Sequence, residues 1–269
     1  MIVKTDAVVL KSMRYRDTSK IVTFYTRAYG KVAGIAKGAR ESRSKFGASL
    51  EPMTEVSLVL YKKDQKDLQL ISQCDIIKPF KYVHSDMEKM SGAMAVVELL
   101  NQLTHSEEEN PLLYKLLVET LEAVEQAPRN IQNIVYGFEL RFASLFGFTP
   151  VFDRCSHCGT VLGGSGSRPV VLFRIDRGGV WCESCLETLA GVAAGGEKSA
   201  LLTASATIKV PTAQILHRFL TARLDTLSGV EYHESVGNEV DETLRSYLRY
   251  HFEGLRPLKS ASVFRQISL

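Results

Sequence analysis

The sequence predicts an α+β multidomain protein, in which an N-terminal OB-fold β-barrel precedes an α-helical domain with an inserted four-cysteine zinc-ribbon-like segment. Short β-branched and aromatic runs separated by polar turns fill residues 1–80, which is typical of a small closed barrel. Apolar residues recur at helical spacing from residue 86 onward, and two C-x-x-C pairs follow. We expect the barrel in 1–80, a first helical part in 81–150, the cysteine segment in 151–195 and a second helical part in 196–269.

Five strands are expected in the barrel, at residues 7–14, 21–25, 31–36, 56–61 and 68–71. These runs carry the residue types that favour extended backbone. Cys74 ends the fifth run and is expected to be a buried, inert thiol. Pro79 ends the barrel segment.

Positive charge is concentrated in the barrel segment. Residues 1–80 hold 15 Lys/Arg and 8 Asp/Glu, a net of +7, whereas the rest of the chain has a net of −4. Such asymmetry points to a polyanionic partner. Two loops carry the clusters, and we predict that seven of their cations bind nucleic-acid phosphates: Lys11, Arg14, Arg16, Lys37, Arg40, Arg43 and Lys45.

Aromatic residues lie within both basic loops. Tyr15 or Phe46 could stack a nucleic-acid base. The alternative is an ordinary solvated loop whose aromatic residue packs into the core.

Helices are expected over residues 87–103, 112–124 and 131–146. Pro111 suits the first turn of the second helix, and the Gly147–Pro150 stretch ends the third. In the last part, Thr212 is expected to cap a helix over 213–227, and a final helix should cover 240–252.

The cysteine pairs predict one structural Zn²⁺. Cys155, Cys158, Cys182 and Cys185 supply four thiolates, with 23 residues between the pairs, and four thiolates leave no open coordination position. His157 could replace one thiolate. A redox pair or two disulfides are the alternatives. Within this segment we expect a hairpin from strands at 170–175 and 180–182, with Trp181 packed over the metal site.

Several classes of function find no support in the sequence. It has no P-loop, no dinucleotide fingerprint, no H-E-x-x-H motif and no nucleophile–base arrangement. We therefore expect no catalysis and no small-molecule substrate. No run of about 18 apolar residues is present, so we expect no membrane span. The start lacks an apolar leader, and metal-type cysteine pairs fit a reducing, cytoplasmic location.

The order of these features resembles the RecO family of bacterial DNA repair proteins. The resemblance covers nearly the whole chain and is carried by short motifs in a shared order: TDAVVLKSMRYRDTSK at 5–20, AKGAR at 36–40, RFASLFGFTP at 141–150, LRSYL at 244–248 and LKS at 258–260. It implies binding of single- and double-stranded DNA, annealing of complementary strands, and loading of RecA together with RecR. It also implies the C-terminal tail of single-stranded-DNA-binding protein as a partner, and a nucleoid-associated location.

Two other readings of the residues stay open. One is a protein-interaction adaptor that works through the helical and zinc region. The other is an RNA-linked OB/zinc protein without annealing activity.

Overall fold

The computed structural model describes residues 1–63, 66–106, 108–163, 169–192 and 204–258. These residues form two compact units. One comprises Met1–Ile131, to which Arg256 also belongs, and the other comprises Gln132–Leu255. The expected boundaries at 80 and 150 remain predictions, and the one at 195 lies outside the described residues. Most of the LKS motif lies outside the described residues.

The N-terminal strands close into a five-stranded barrel of the OB type, as predicted, in the order β1-β2-β3-β5-β4. Only β3 and β5 pair in parallel. β1 is longer than expected because a bulge between Val9 and Lys11 lets its two halves pair with different strands, β4 and β2. The strands are β1 (Ile2–Tyr15), β2 (Ser19–Thr26), β3 (Gly30–Ala36), β4 (Glu55–Tyr61) and β5 (Leu68–Lys78).

The barrel interior is a packed apolar core. Alternating residues of the strands point inward, among them Val22, Phe24 and Leu58, which are fully buried. Cys74 belongs to this core, and burial raises the pKa of its thiol to about 11. The prediction of a buried Cys74 is confirmed.

Three helices, α1 (Lys81–Ser85), α2 (Met87–Leu103) and α3 (Pro111–Gln126), follow the barrel in the same unit. Side chains cap the two longer helices: Asp86 accepts from the backbone N–H of Lys89 at 3.0 Å, and Asn110 from that of Leu113 at 3.0 Å. Both helices agree with the predicted spans. The five-residue α1 was not expected, because it is too short to show periodicity.

Polar contacts join these helices to the barrel. The Lys31 ammonium donates to the Asn101 carbonyl at 2.9 Å, and the Tyr114 hydroxyl donates to the buried Glu55 carboxylate at 3.0 Å. Gly30 has φ +59°, and a Cβ there would lie 2.0 Å from the Glu108 carbonyl oxygen. The chain therefore approaches β3 at a point where only glycine fits.

The second unit combines helices with a small sheet of order β7-β6-β8. The predicted hairpin is present as β6 and β7, whereas the third strand, β8, was not anticipated. The elements are α4 (Ile131–Leu145), β6 (Val170–Arg174), β7 (Gly179–Trp181), α5 (Glu183–Val192), β8 (Ser205–Lys209), α6 (Val210–Thr221) and α7 (Glu234–His251).

The predicted cap at Thr212 is wrong. Lys209 precedes the first turn of α6, and Thr212 lies inside the helix, where its buried hydroxyl donates to Glu239 of α7. The helix also ends at Thr221, and a separate 3₁₀ turn covers Leu224–Gly229. None of the described helices is long and apolar enough to cross a membrane.

Candidate nucleic-acid interface and metal centre

A cationic cleft of about 580 Å³ opens beside the β1–β2 hairpin. The C-terminal half of β1, the start of β2, the basic loop after β3 and the turn before β4 supply its walls. It brings together side chains from both predicted basic loops. Its lining residues are Ser12, Met13, Arg14, Lys20, Ala39, Arg40, Glu51 and Pro52.

Two cations face each other across the hairpin. Arg14 of β1 is paired in register with Lys20 of β2, and like charges directly opposite on adjacent strands repel. The Lys20 ammonium lies 2.9 Å from the Glu51 carboxylate, so one charge is neutralised. Arg14 is exposed and makes no ion pair with the residues that the structure describes. An anion bound in the cleft would relieve this repulsion.

Arg40 also lines the cleft, but its guanidinium already has partners. It donates to the carbonyls of Arg16 and Asp17 at 3.2 and 3.0 Å, and its backbone N–H donates to the Thr18 carbonyl at 2.9 Å. Arg40 therefore fastens the basic loop to the β1–β2 turn. Replacing it would disturb the loop as well as remove a charge.

Lys45 is held in a similar way. Its ammonium donates to the Ser72 carbonyl at 2.6 Å and lies 5.3 Å from the centre of the Phe46 ring. Phe46 itself is only 4% exposed and belongs to the barrel core. The hypothesis that Phe46 stacks a base is therefore wrong, and the core alternative applies to this residue.

The remaining predicted cations lie on the surface around the cleft. Lys11, Arg16, Lys37 and Arg43 are all exposed. The Arg16 guanidinium lies 5.3 Å from the centre of the half-buried Tyr15 ring. Whether the seven predicted residues contact DNA stays a prediction.

Lys20 is the cation of the cleft that the sequence prediction omitted. Lys20 could have been identified from the pairing of the hairpin strands, because a three-residue turn places position 20 opposite position 14. Only the pairing of the strands, and not the composition of the loops, reveals it.

The four predicted metal ligands converge in the second unit. All four sulfur atoms lie within 4.8 Å of one another. The Sγ atoms of Cys155 and Cys185 are 3.8 Å apart, and those of Cys158 and Cys182 are 3.6 Å apart. A tetrahedral ion with metal–sulfur bonds of about 2.3 Å requires sulfur–sulfur edges of about 3.8 Å. The donor set fits such an ion, and these separations exclude a formed disulfide.

Local backbone geometry presents these sulfurs. The Gly159 N–H donates to the Cys155 carbonyl at 2.8 Å, closing a turn in which Gly159 has φ +79°. The Cys182 N–H points at the Cys155 sulfur, 3.3 Å away. A backbone donor of this kind stabilises a thiolate.

Electrostatics differ among the four thiols. Hydrogen bonding with Thr160 lowers the pKa of the exposed Cys158 thiol to about 6, whereas burial raises the pKa of the Cys185 thiol. A bound cation would favour the thiolate at both positions. Trp181 packs against Cys155 and Cys185 as expected, and His157 lies beside its ring, with the ring centres 5.1 Å apart.

The chain therefore combines a basic OB-type barrel with a helical unit that holds four converging cysteines, a combination that defines a two-part protein with a metal-type centre. The family model described as "Recombination protein O N terminal" matches residues 1–80, and the model "Recombination protein O C terminal" matches residues 84–261. The chain belongs to the RecO family of DNA repair and recombination proteins.

Curated relatives agree with this membership. The DNA repair protein RecO of Chloroherpeton thalassium is 29% identical over 271 residues, covering 99% of each chain. That of Salinibacter ruber is 31% identical over 268 residues, covering 99% of this chain and 94% of the relative. That of Chlorobaculum parvum is 42% identical over 155 residues, which is 58% of this chain and 60% of the relative.

Proposed function

We propose that this protein is a recombination mediator, not an enzyme, that binds single- and double-stranded DNA through the barrel and anneals complementary strands. Its partners are RecR, with which it helps to load RecA, and the C-terminal tail of single-stranded-DNA-binding protein. It acts in the cytoplasm at the nucleoid. Family membership supports the repair and recombination role, and the finer activities are our proposal.

The observation that carries the proposal is the cleft beside the β1–β2 hairpin. Arg14 and Lys20 face each other there, Arg40 joins them, and only Lys20 has a carboxylate partner within the cleft. Phosphate oxygens would neutralise the remaining charge and release counterions from the DNA. Screening two strands on one basic surface lowers their mutual repulsion, so annealing needs no chemical step.

We further propose that the four cysteines bind one structural Zn²⁺. Four thiolates close the coordination sphere, so the metal would supply folding energy to its own segment. The residues that would hold it are Cys155, Cys158, Cys182 and Cys185.

Annealing of two complementary labelled strands tests the proposed activity. The wild type should accelerate annealing over the spontaneous rate, and the variant Arg14→Gln/Arg43→Gln should lose most of that acceleration. The matched control, Lys81→Gln/Lys115→Gln, removes two exposed cations from α1 and α3 and should anneal normally. Equal loss in both variants, or no acceleration by the wild type, would refute the proposal.

A further inference from the structure

A continuous row of apolar side chains crosses the outer surface of the barrel. The strand register places each member directly opposite the next, so that the row passes through all five strands and returns to β1. We call this set the apolar row: Ile2, Tyr61, Leu70, Ile35, Ile21 and Met13.

The apolar row is not part of the barrel core. Ile2, Met13, Tyr61 and Leu70 are 62, 45, 42 and 37% exposed, and the other two members are half-buried. Successive residues of a strand point to opposite faces, and the sequence neighbours Val3, Val22 and Leu60 occupy the core instead. Single exposed apolar residues are ordinary on a surface, whereas a contiguous set marks a binding surface.

Positive charge borders the row. Residues two positions apart along a strand share its face, and on β1 those positions beside Ile2 and Met13 hold the exposed cations Lys4 and Lys11. Two more exposed cations, Lys37 and Lys63, lie just beyond the ends of β3 and β4, each two residues after a member of the row. No carboxylate occupies any position two residues from a member of the row.

The row is also continuous with the cationic cleft, because Met13 belongs to both. Five interstrand steps of about 4.8 Å give it a length of roughly 24 Å. OB folds bind as few as about four nucleotides of single-stranded nucleic acid, and they combine a positively charged groove with aromatic side chains on which bases stack. Tyr61 is the aromatic member of the row.

We propose that the apolar row is the surface on which the bases of a single DNA strand lie while the bordering lysines bind its phosphates. This inference rests on the proposed DNA-binding function. It adds that the apolar row favours single-stranded over double-stranded DNA. In a duplex the bases are stacked inside, so the row adds affinity only for single strands. Lysines along both edges of the row suit a DNA strand, because each nucleotide carries one negatively charged phosphate.

The test compares the double variant Tyr61→Ser/Leu70→Ser with Ile76→Ser/Ile77→Ser. The control residues lie on β5 outside the row, and they are exposed to a similar degree, 44 and 43%. Dissociation constants are measured for three probes: an oligo-dT, an abasic oligonucleotide of the same length and charge, and a duplex. Thermal melting confirms that each variant is folded.

The row variant should bind oligo-dT about tenfold more weakly or worse, with unchanged affinity for the abasic strand and the duplex. The control variant should bind all three probes as the wild type does. Unchanged oligo-dT binding by the row variant would overturn the inference and would indicate that the row binds a protein partner instead. An equal loss on all three probes would overturn it too. If the wild type bound no probe, the proposed function itself would fail, which is a separate result.

Discussion

Glu139 of α4 predicts a measurable pH dependence of stability. It is half-buried in the second unit, and burial raises the pKa of its carboxyl from 4.5 to about 8, with the Asp241 carboxylate adding to the shift and Arg245 opposing it. Asp241 is itself held by the Tyr136 hydroxyl at 3.3 Å and by the Arg245 guanidinium at 2.7 Å. The Asp241 carboxylate is therefore held beside Glu139, and its proximity favours the protonated form of Glu139.

The sign of the effect follows from proton binding. Between pH 4.5 and 8 the folded protein keeps the Glu139 proton that the unfolded chain has released, so stability falls as pH rises through this window. The slope is about 1.4 kcal/mol per pH unit. From pH 5 to 8 the ceiling is therefore about 4 kcal/mol, and solvent screening of a half-buried group lowers it.

Glu139→Gln removes the titration while keeping the shape of the side chain. Denaturant unfolding of wild type and variant at pH 5, 6, 7 and 8 should show the variant gaining relative stability at each step. Glu242→Gln, which changes an exposed carboxylate on α7, serves as the control and should run parallel to the wild type. A constant difference between Glu139→Gln and wild type across this range would refute the burial argument.

Two further predictions concern the metal centre and the close approach of the Glu108 backbone to Gly30 of β3. Purified protein should contain about one equivalent of zinc by mass spectrometry. Cys185→Ser should lose it and unfold the segment around Trp181, seen as a shift in tryptophan emission, whereas Cys74→Ala should keep its metal; zinc retained by Cys185→Ser would contradict the four-thiolate site. Gly30→Ala should cost about 1–3 kcal/mol of unfolding free energy, because its Cβ meets the Glu108 carbonyl. Gly47→Ala also has a positive φ but open space around the Cβ, so it should cost less, and equal losses in denaturant melts would argue against the close approach.

Local patterns in the sequence were sufficient for much of the fold. Short β-branched and aromatic runs between polar turns located all five barrel strands, and the Asp86 and Asn110 caps lie where the helical periodicity begins. The C-x-x-C spacing predicted the convergence of all four sulfurs, because the first pair lies on a tight turn and the second at the start of α5, so each pair is close in space through local structure. These features depend on neighbours in the chain, which is why they were predictable.

Features that depend on distant partners were missed. β8 is a strand because it pairs with β6, some thirty residues earlier, and its own five residues carry a weak signal. Threonine is a common helix cap, yet the Thr212 hydroxyl donates a hydrogen bond to Glu239 of another helix. Phe46 lies in a basic loop, but its ring packs into the barrel core. The apolar row likewise exists only through the register of the strands.

The salt dependence of single-strand binding tests the central claim most directly. Fluorescence anisotropy of a labelled single strand over a range of salt concentrations gives the slope of log K against log[salt], about −0.7 for each phosphate neutralised. Arg14→Gln/Arg43→Gln should bind more weakly and flatten the slope by about 1.4, while Lys81→Gln/Lys115→Gln should keep the wild-type slope. A double variant in the barrel loops with the wild-type slope would show that the phosphates are bound elsewhere.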